Sequence, residues 1–161
     1  MKTKTWGAVT ACVIVVSMAI LLNAAQGPDG KRGVLAFNQK FQEAHARMDT
    51  LGILAMWSET GVSLLPETAP IVGKTAVTKF INDAVSHLAG FKMLKAEIDF
   101  RDVRVCGEWA TEWGIEHQVI HPPDGKPVID HWGKISLILH READGSWKVQ
   151  QEMWNSMAKP E

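Results

Sequence analysis

Val34, Phe37, Phe41, Ala44 and Met48 recur at three- and four-residue steps, which predicts one apolar stripe along a helix. Asp49 or Thr50 can cap a second helix, because either side chain accepts from amides at the new N-terminus. Leu51, Leu54 and Trp57 would give that helix its face, and Glu59-Thr60-Gly61 would end it. Val62 to Leu65 reads as a short strand stopped by Pro66, and Ile71-Val72 returns beside it. Gly73-Lys74-Thr75 opens a third helix with the stripe Val77, Phe80, Ile81, Ala84 and Leu88, closed by Gly90.

From Met93 the period changes to two. Ala96, Ile98 and Phe100 alternate with Glu97, Asp99 and Arg101, but Val103 and Val105 fall in the other phase. A β-bulge near Arg101-Asp102 reconciles them. Three more strands follow, from Glu108 to about His121, from Val128 to His140 and from Ser146 to Ser156. Pro122 to Pro127 and Asp144-Gly145 supply the turns between them. Helices followed by a meander of long strands imply an α+β domain: a curved antiparallel sheet whose concave side is covered by three helices. Such a cone has one open end.

Composition narrows the function classes. The chain has 161 residues, enough for one domain. Its 17 basic and 18 acidic residues form no block of like charge, which argues against a nucleic-acid surface. Lys2 and Lys4 precede an apolar run from Trp6 to Leu22 that ends at Asn23-Ala24-Ala25-Gln26. This has the form of a secretory signal over residues 1–26, and an uncleaved membrane anchor is the alternative. Both place the domain outside the cytoplasm, periplasmic or secreted. Residues 27–33, rich in glycine and charge, read as a linker, and 34–158 as the domain. Cys12 lies in the signal, so Cys106 would be left without an intramolecular partner.

The helix pair ending in Trp57, the segment GVSLLPETAPIVGKTAV, the strands GEWATEWG and HWGKISLILHR, and the closing DGSWKVQQEMWNS occur in a distinctive order. Together they resemble the nuclear transport factor 2-like superfamily, with its cystatin-like roll, in the SnoaL-like branch. The resemblance covers nearly all of residues 34–156. It implies a pocket in the cone for a small, partly apolar ligand, no cofactor, and a homodimer formed through the outer sheet face. It extends to cofactor-free isomerases, cyclases and dehydratases and also to non-catalytic interaction modules, so it leaves function open. The classical ketosteroid isomerase pattern is not met. Leu65 stands where that pattern has a carboxylate, and the chain has no Tyr to donate to an oxyanion.

Candidate chemistry depends on the parity of one strand. The resemblance turns Ala110, Glu112, Gly114 and Glu116 inward, where burial would raise the pKa of Glu112 and fit it for general acid–base work. Raw alternation turns Trp109, Trp113, Ile115 and Val119 inward instead. Lys134 on the next strand is expected to pair with Glu112 or to receive a ligand anion. Trp57 and Trp154 are expected at the cavity mouth, with Glu116, His117 and Asn155 as polar contacts. His117 and His121 lie about 13 Å apart at ~3.3 Å per strand residue, too far to share an ion. His45 and Asp49 could form a metal pair, but Asp49 as a cap and His45 as an exposed side chain is the plainer reading.

Overall fold

The computed structural model describes residues 28–161 apart from Asp124. The expected signal segment lies outside the described residues. Among those described, no helix is long and apolar enough to cross a membrane.

Three helices and six strands follow one another as α1 (Pro28–Ala46), α2 (Thr50–Ala55), β1 (Trp57–Leu64), β2 (Ile71–Val72), α3 (Lys74–Ser86), β3 (Lys92–Cys106), β4 (Trp109–His121), β5 (Ile129–Arg141) and β6 (Trp147–Ser156). The strands form one sheet in the order β2-β1-β6-β5-β4-β3. Strands β3 to β6 are the expected antiparallel meander. Strand β1 joins β6 in parallel, so the sheet is mixed at one side. The bulge expected near Arg101-Asp102 is present. The β3–β4 register shifts between Arg101 and Arg104, and Asp102 takes a φ of 53°.

Helix α1 lies across the sheet and buries Val34, Phe37, Phe41 and Ala44. These meet Ala110, Leu137, Leu139, Trp147 and Val149 from the strands in one core. Each large side chain buried here contributes roughly 1.5–3 kcal/mol relative to exposure.

Three expectations need correction. The segment 27–33 is not a linker beyond its first residue, because α1 already begins at Pro28. Its glycines serve packing: a Cβ on Gly33 would lie 2.6 Å from Nε1 of Trp147. The second helix stops at Ala55, and Trp57 belongs to β1 rather than to a helical face. That helix is only six residues long and buries Leu54, while Leu51 is 80% exposed. Strand pairing with β6 captures the following residues instead. Finally, α3 ends at Ser86 rather than running on towards Gly90. Its stripe is only partly covered: Val77 is buried, whereas Phe80 stays partly open.

Candidate functional site

The incomplete cover over α3 has a cause, because that helix roofs a cavity. The space measures about 480 Å³. Its apolar wall includes Ile53 of α2, Ile71 of β2, and Val77, Phe80 and Ile81 of α3. The opposite wall is the concave face of the sheet, where Ser63, Glu116, Gln118, Glu152 and Trp154 point in, and His45 closes one side from the last turn of α1.

The parity of β4 decides which carboxylates are inside. Glu112, Gly114 and Glu116 stand opposite Leu137, Ile135 and Gly133 of β5, and directly opposed residues share a sheet face. Glu112 and Glu116 are only 3% and 4% exposed, while Trp109 and Trp113 are 48% and 42% exposed on the convex face.

Glu116 is held by two neutral donors. Gln118 donates to its Oε1 at 2.7 Å, and the Trp154 indole donates to its Oε2 at 2.6 Å. A carboxylate that accepts at both oxygens is in the role of its ionised form. Trp154 reaches it by lying across Gly133, where a Cβ would sit 2.6 Å from the indole nitrogen.

Glu152 faces Leu137 on one side and Ser63 on the other. Burial, reinforced by the charge of Glu116 and opposed by a bond from Ser63, pushes its pKa up to about 7. The ring of His45 bonds through Nδ1 to the Phe41 carbonyl at 2.7 Å and packs on the Phe41 ring. A carbonyl partner requires the hydrogen on Nδ1, leaving Nε2 with its lone pair in the neutral ring. Burial lowers the pKa of His45, against the opposing pull of the Phe41 carbonyl and the Glu116 charge. An apolar chamber therefore holds one ionised carboxylate, one carboxyl poised near neutrality and one neutral imidazole. Such a set can bind a polar group and can give or take a proton.

The residues expected from the sequence divide by face. Trp57, Glu116 and Trp154 line the cavity. Glu112 points inward but is not among the lining residues. It lies under α1, where Asn38 donates Nδ2 to its Oε2 at 2.7 Å. Burial, opposed by that bond, raises its pKa to about 7. Lys134 is exposed on the convex face between Ile115 and Asn155, so it neither meets Glu112 nor reaches the cavity. Asn155 shares that face. His117 is there too, stacked 3.9 Å from Trp132 and bonded to Asp130 at 2.7 Å. The reason is parity: Gly133 takes the inward position and Lys134 the outward one.

Glu152, Ser63 and Gln118 were missed, and His45 was weighed only beside Asp49, not as a cavity residue. Half of the signal for Glu152 was legible. Val149 and Trp154 are both apolar but opposite in phase, so both can face inward only if β6 carries an irregularity between them. The β5–β6 register does shift between Ile138 and Leu139, opposite that stretch. Asp49 caps α2 by accepting from the Gly52 amide, as expected, but His45 is half-buried rather than exposed. Among the described residues, no three His, Cys, Asp or Glu side chains gather in a way that would hold a metal ion.

No protein-family profile matches the sequence, and no curated protein is similar to it in sequence. The fold, in contrast, is that of ketosteroid isomerase-like and nuclear transport factor 2-like proteins. A ketosteroid isomerase-like protein of Erwinia carotovora atroseptica superposes with a TM-score of 0.64 at 15% identity, over 81% of this chain and 95% of its own. A nuclear transport factor 2-like protein of unknown function from Pseudomonas putida gives 0.68 at 18% identity, over 83% and 91%. A putative dehydratase of the same fold from Streptomyces avermitilis gives 0.66 at 17% identity, over 83% and 100%. At these identities the likeness is one of fold.

Proposed function

We propose that this chain is an exported binding domain for a small, partly apolar molecule held in the cone. The observation that carries this reading is the cavity of about 480 Å³, apolar on its helical wall and lined by Glu116 and Glu152 on its sheet wall. Its size is that of small-molecule sites, and its polar groups are few and convergent, as such sites require. Native mass spectrometry of the purified protein, before and after denaturation, tests it. A co-purifying molecule released on unfolding is expected, and its retention should fall when Ala84 is replaced by Trp to fill the chamber. Equal retention by Ala84→Trp would place the molecule elsewhere.

A catalytic version has one observation in its favour, the Glu152 carboxyl, poised near neutrality, lining the same cavity as the His45 ring. It would make the protein a cofactor-free isomerase, cyclase or dehydratase, with Glu152 rather than Glu112 as the acid–base group. Two of the solved neighbours are described as ketosteroid isomerase-like and as a putative dehydratase. With a turned-over ligand in hand, Glu152→Gln should lower kcat at least a hundredfold, within the usual ~10²–10⁴ range for general acid–base groups. Unchanged turnover removes Glu152 from the chemistry.

Two further parts of the reading concern place and assembly. Lys2, Lys4 and the apolar run after them support export, and the protein should then appear outside the cytoplasm on cell fractionation; a wholly cytoplasmic pool overturns this. The exposed Trp109 and Trp113 on the convex face support a homodimer formed through that face.

A further inference from the structure

The polar wall of the cavity carries acids and no cationic residue. Among its lining residues the titratable ones are His45 from α1, Glu116 from β4 and Glu152 from β6. Strand β1 adds Ser63, β5 adds Ile135, and the lining residues from α2 and α3 are apolar. The lysine expected to receive an anion, Lys134, faces away on the convex side. Both oxygens of Glu116 accept from neutral donors, Gln118 and Trp154, so its negative charge is oriented but not cancelled. An uncancelled charge in an apolar chamber favours any cation that can enter it. Trp57, Phe80 and Trp154 border the same space, and aromatic rings add to the attraction for an organic cation. A carboxylate or phosphate ligand would meet the charge of Glu116 with no lining cation to offset it.

We infer that the ligand of the cavity is a lipophilic amine, bound as its ammonium between Glu116 and Glu152 with its apolar body against α3. The inference rests on the cavity reading above and gives it a substrate class. A neutral amine entering takes the Glu152 proton onto its own nitrogen, leaving an ammonium facing two carboxylates. An amine arriving already protonated displaces that proton to solvent. The second route ties binding to pH. Glu152 holds its proton up to about 7. Affinity for an ammonium therefore rises as pH climbs through that value, and loss of any charge on His45 acts in the same direction.

A matched set of probes tests this by isothermal titration calorimetry on the full chain: tryptamine, its alcohol analogue tryptophol, and indoleacetate. Tryptamine is expected to bind at least tenfold tighter than tryptophol at neutral pH, with indoleacetate weakest, and to release protons on binding when buffers of different ionisation enthalpy are compared. Glu152→Gln, which copies the neutral carboxyl, should abolish the proton release that accompanies tryptamine binding, and release that persists in this variant overturns the part given to Glu152. Glu116→Gln should remove most of the preference for tryptamine over tryptophol, and a preference that survives it overturns the part given to Glu116. Equal affinity for amine and alcohol, or tighter binding of indoleacetate, overturns the amine class while leaving a ligand cavity in place. Failure of all three probes to bind at millimolar concentration overturns both.

Discussion

Glu112 and Asn38 form a pair whose atoms do not balance while the acid is ionised. Asn38 donates Nδ2 to Glu112 Oε2, yet Glu112 Oε1 and Asn38 Oδ1 are both buried acceptors without a partner. A proton on Glu112 turns one of the two acceptors into a donor, whereas ionisation leaves both unsatisfied at a penalty of about 1–3 kcal/mol per group. An ordinary glutamate ionises near 4.5, but Glu112 in the fold keeps its proton up to about 7. Between those values the folded state binds the extra proton, so stability falls as pH rises and levels off above the folded value. The whole fall from this group is about 3 kcal/mol, at about 1.4 kcal/mol per unit. Glu112→Gln copies the neutral acid. Urea denaturation should find the variant near wild type at about pH 4 and more stable by ~1–3 kcal/mol at about pH 8. A variant weaker than wild type at both values rules out a neutral Glu112. The inward parity of Glu112 was legible only through family resemblance, because Trp109 and Trp113 make the other face look more apolar. What local alternation could have shown was the position of Lys134, since Ile135, Leu137 and Leu139 hold the opposite phase on the same strand.

Among the elements, α1 shows most directly how packing overrides local preference. Its first turns contain Gly30 and Gly33, which read as a flexible linker when the sequence is taken alone. Both lie against the sheet instead, Gly33 over the Trp147 indole and Gly30 beside Val105. Alanine is the better helix former by about 1 kcal/mol, but overpacking a contact costs roughly 1–3 kcal/mol. The second term should win, so Gly33→Ala is expected to lower the melting temperature and to perturb Trp fluorescence. A rise in melting temperature would mean that Trp147 yields freely. The long elements were legible because their periods persist: the α1 stripe and the alternation of β3 to β6 needed no knowledge of neighbours. The end of helix α2 and the start of β1 were not. A helix of six residues has too few positions to show a period, and Trp57 satisfies a helical face or a strand face equally well until β6 is placed beside it.

At the scale of the whole molecule, the convex face joins Trp109, Trp113 and Met153, all well exposed, into a surface suited to a second copy. Light scattering coupled to size-exclusion chromatography should give the mass of two chains, and Trp113→Lys should shift it to one. A monomeric wild type at tens of micromolar would sink the dimer. The cone, its chamber and the antiparallel meander of β3 to β6 were implied by the sequence, whereas the parallel seat of β1 beside β6 was not. The occupant of the chamber was not, because Glu152, Glu116 and His45 come from β6, β4 and α1 and meet only after the sheet has curled.

The bulge at Asp102 bears on how many copies can associate. Strand β3 is the long edge strand of the sheet, opposite the two-residue β2, and a straight, uncharged border of free amides would recruit another strand, then another, without limit. Asp102 bends that border, and the ion pairs Lys95–Glu97, Asp99–Arg101 and Asp102–Arg104 give the strand charges of both signs. Growth by strand addition is thereby discouraged, and contact through the broad face is left. A face that met its own twin would use up its partner surface in one encounter, so an assembly built through it would terminate at a pair instead of lengthening into a fibre.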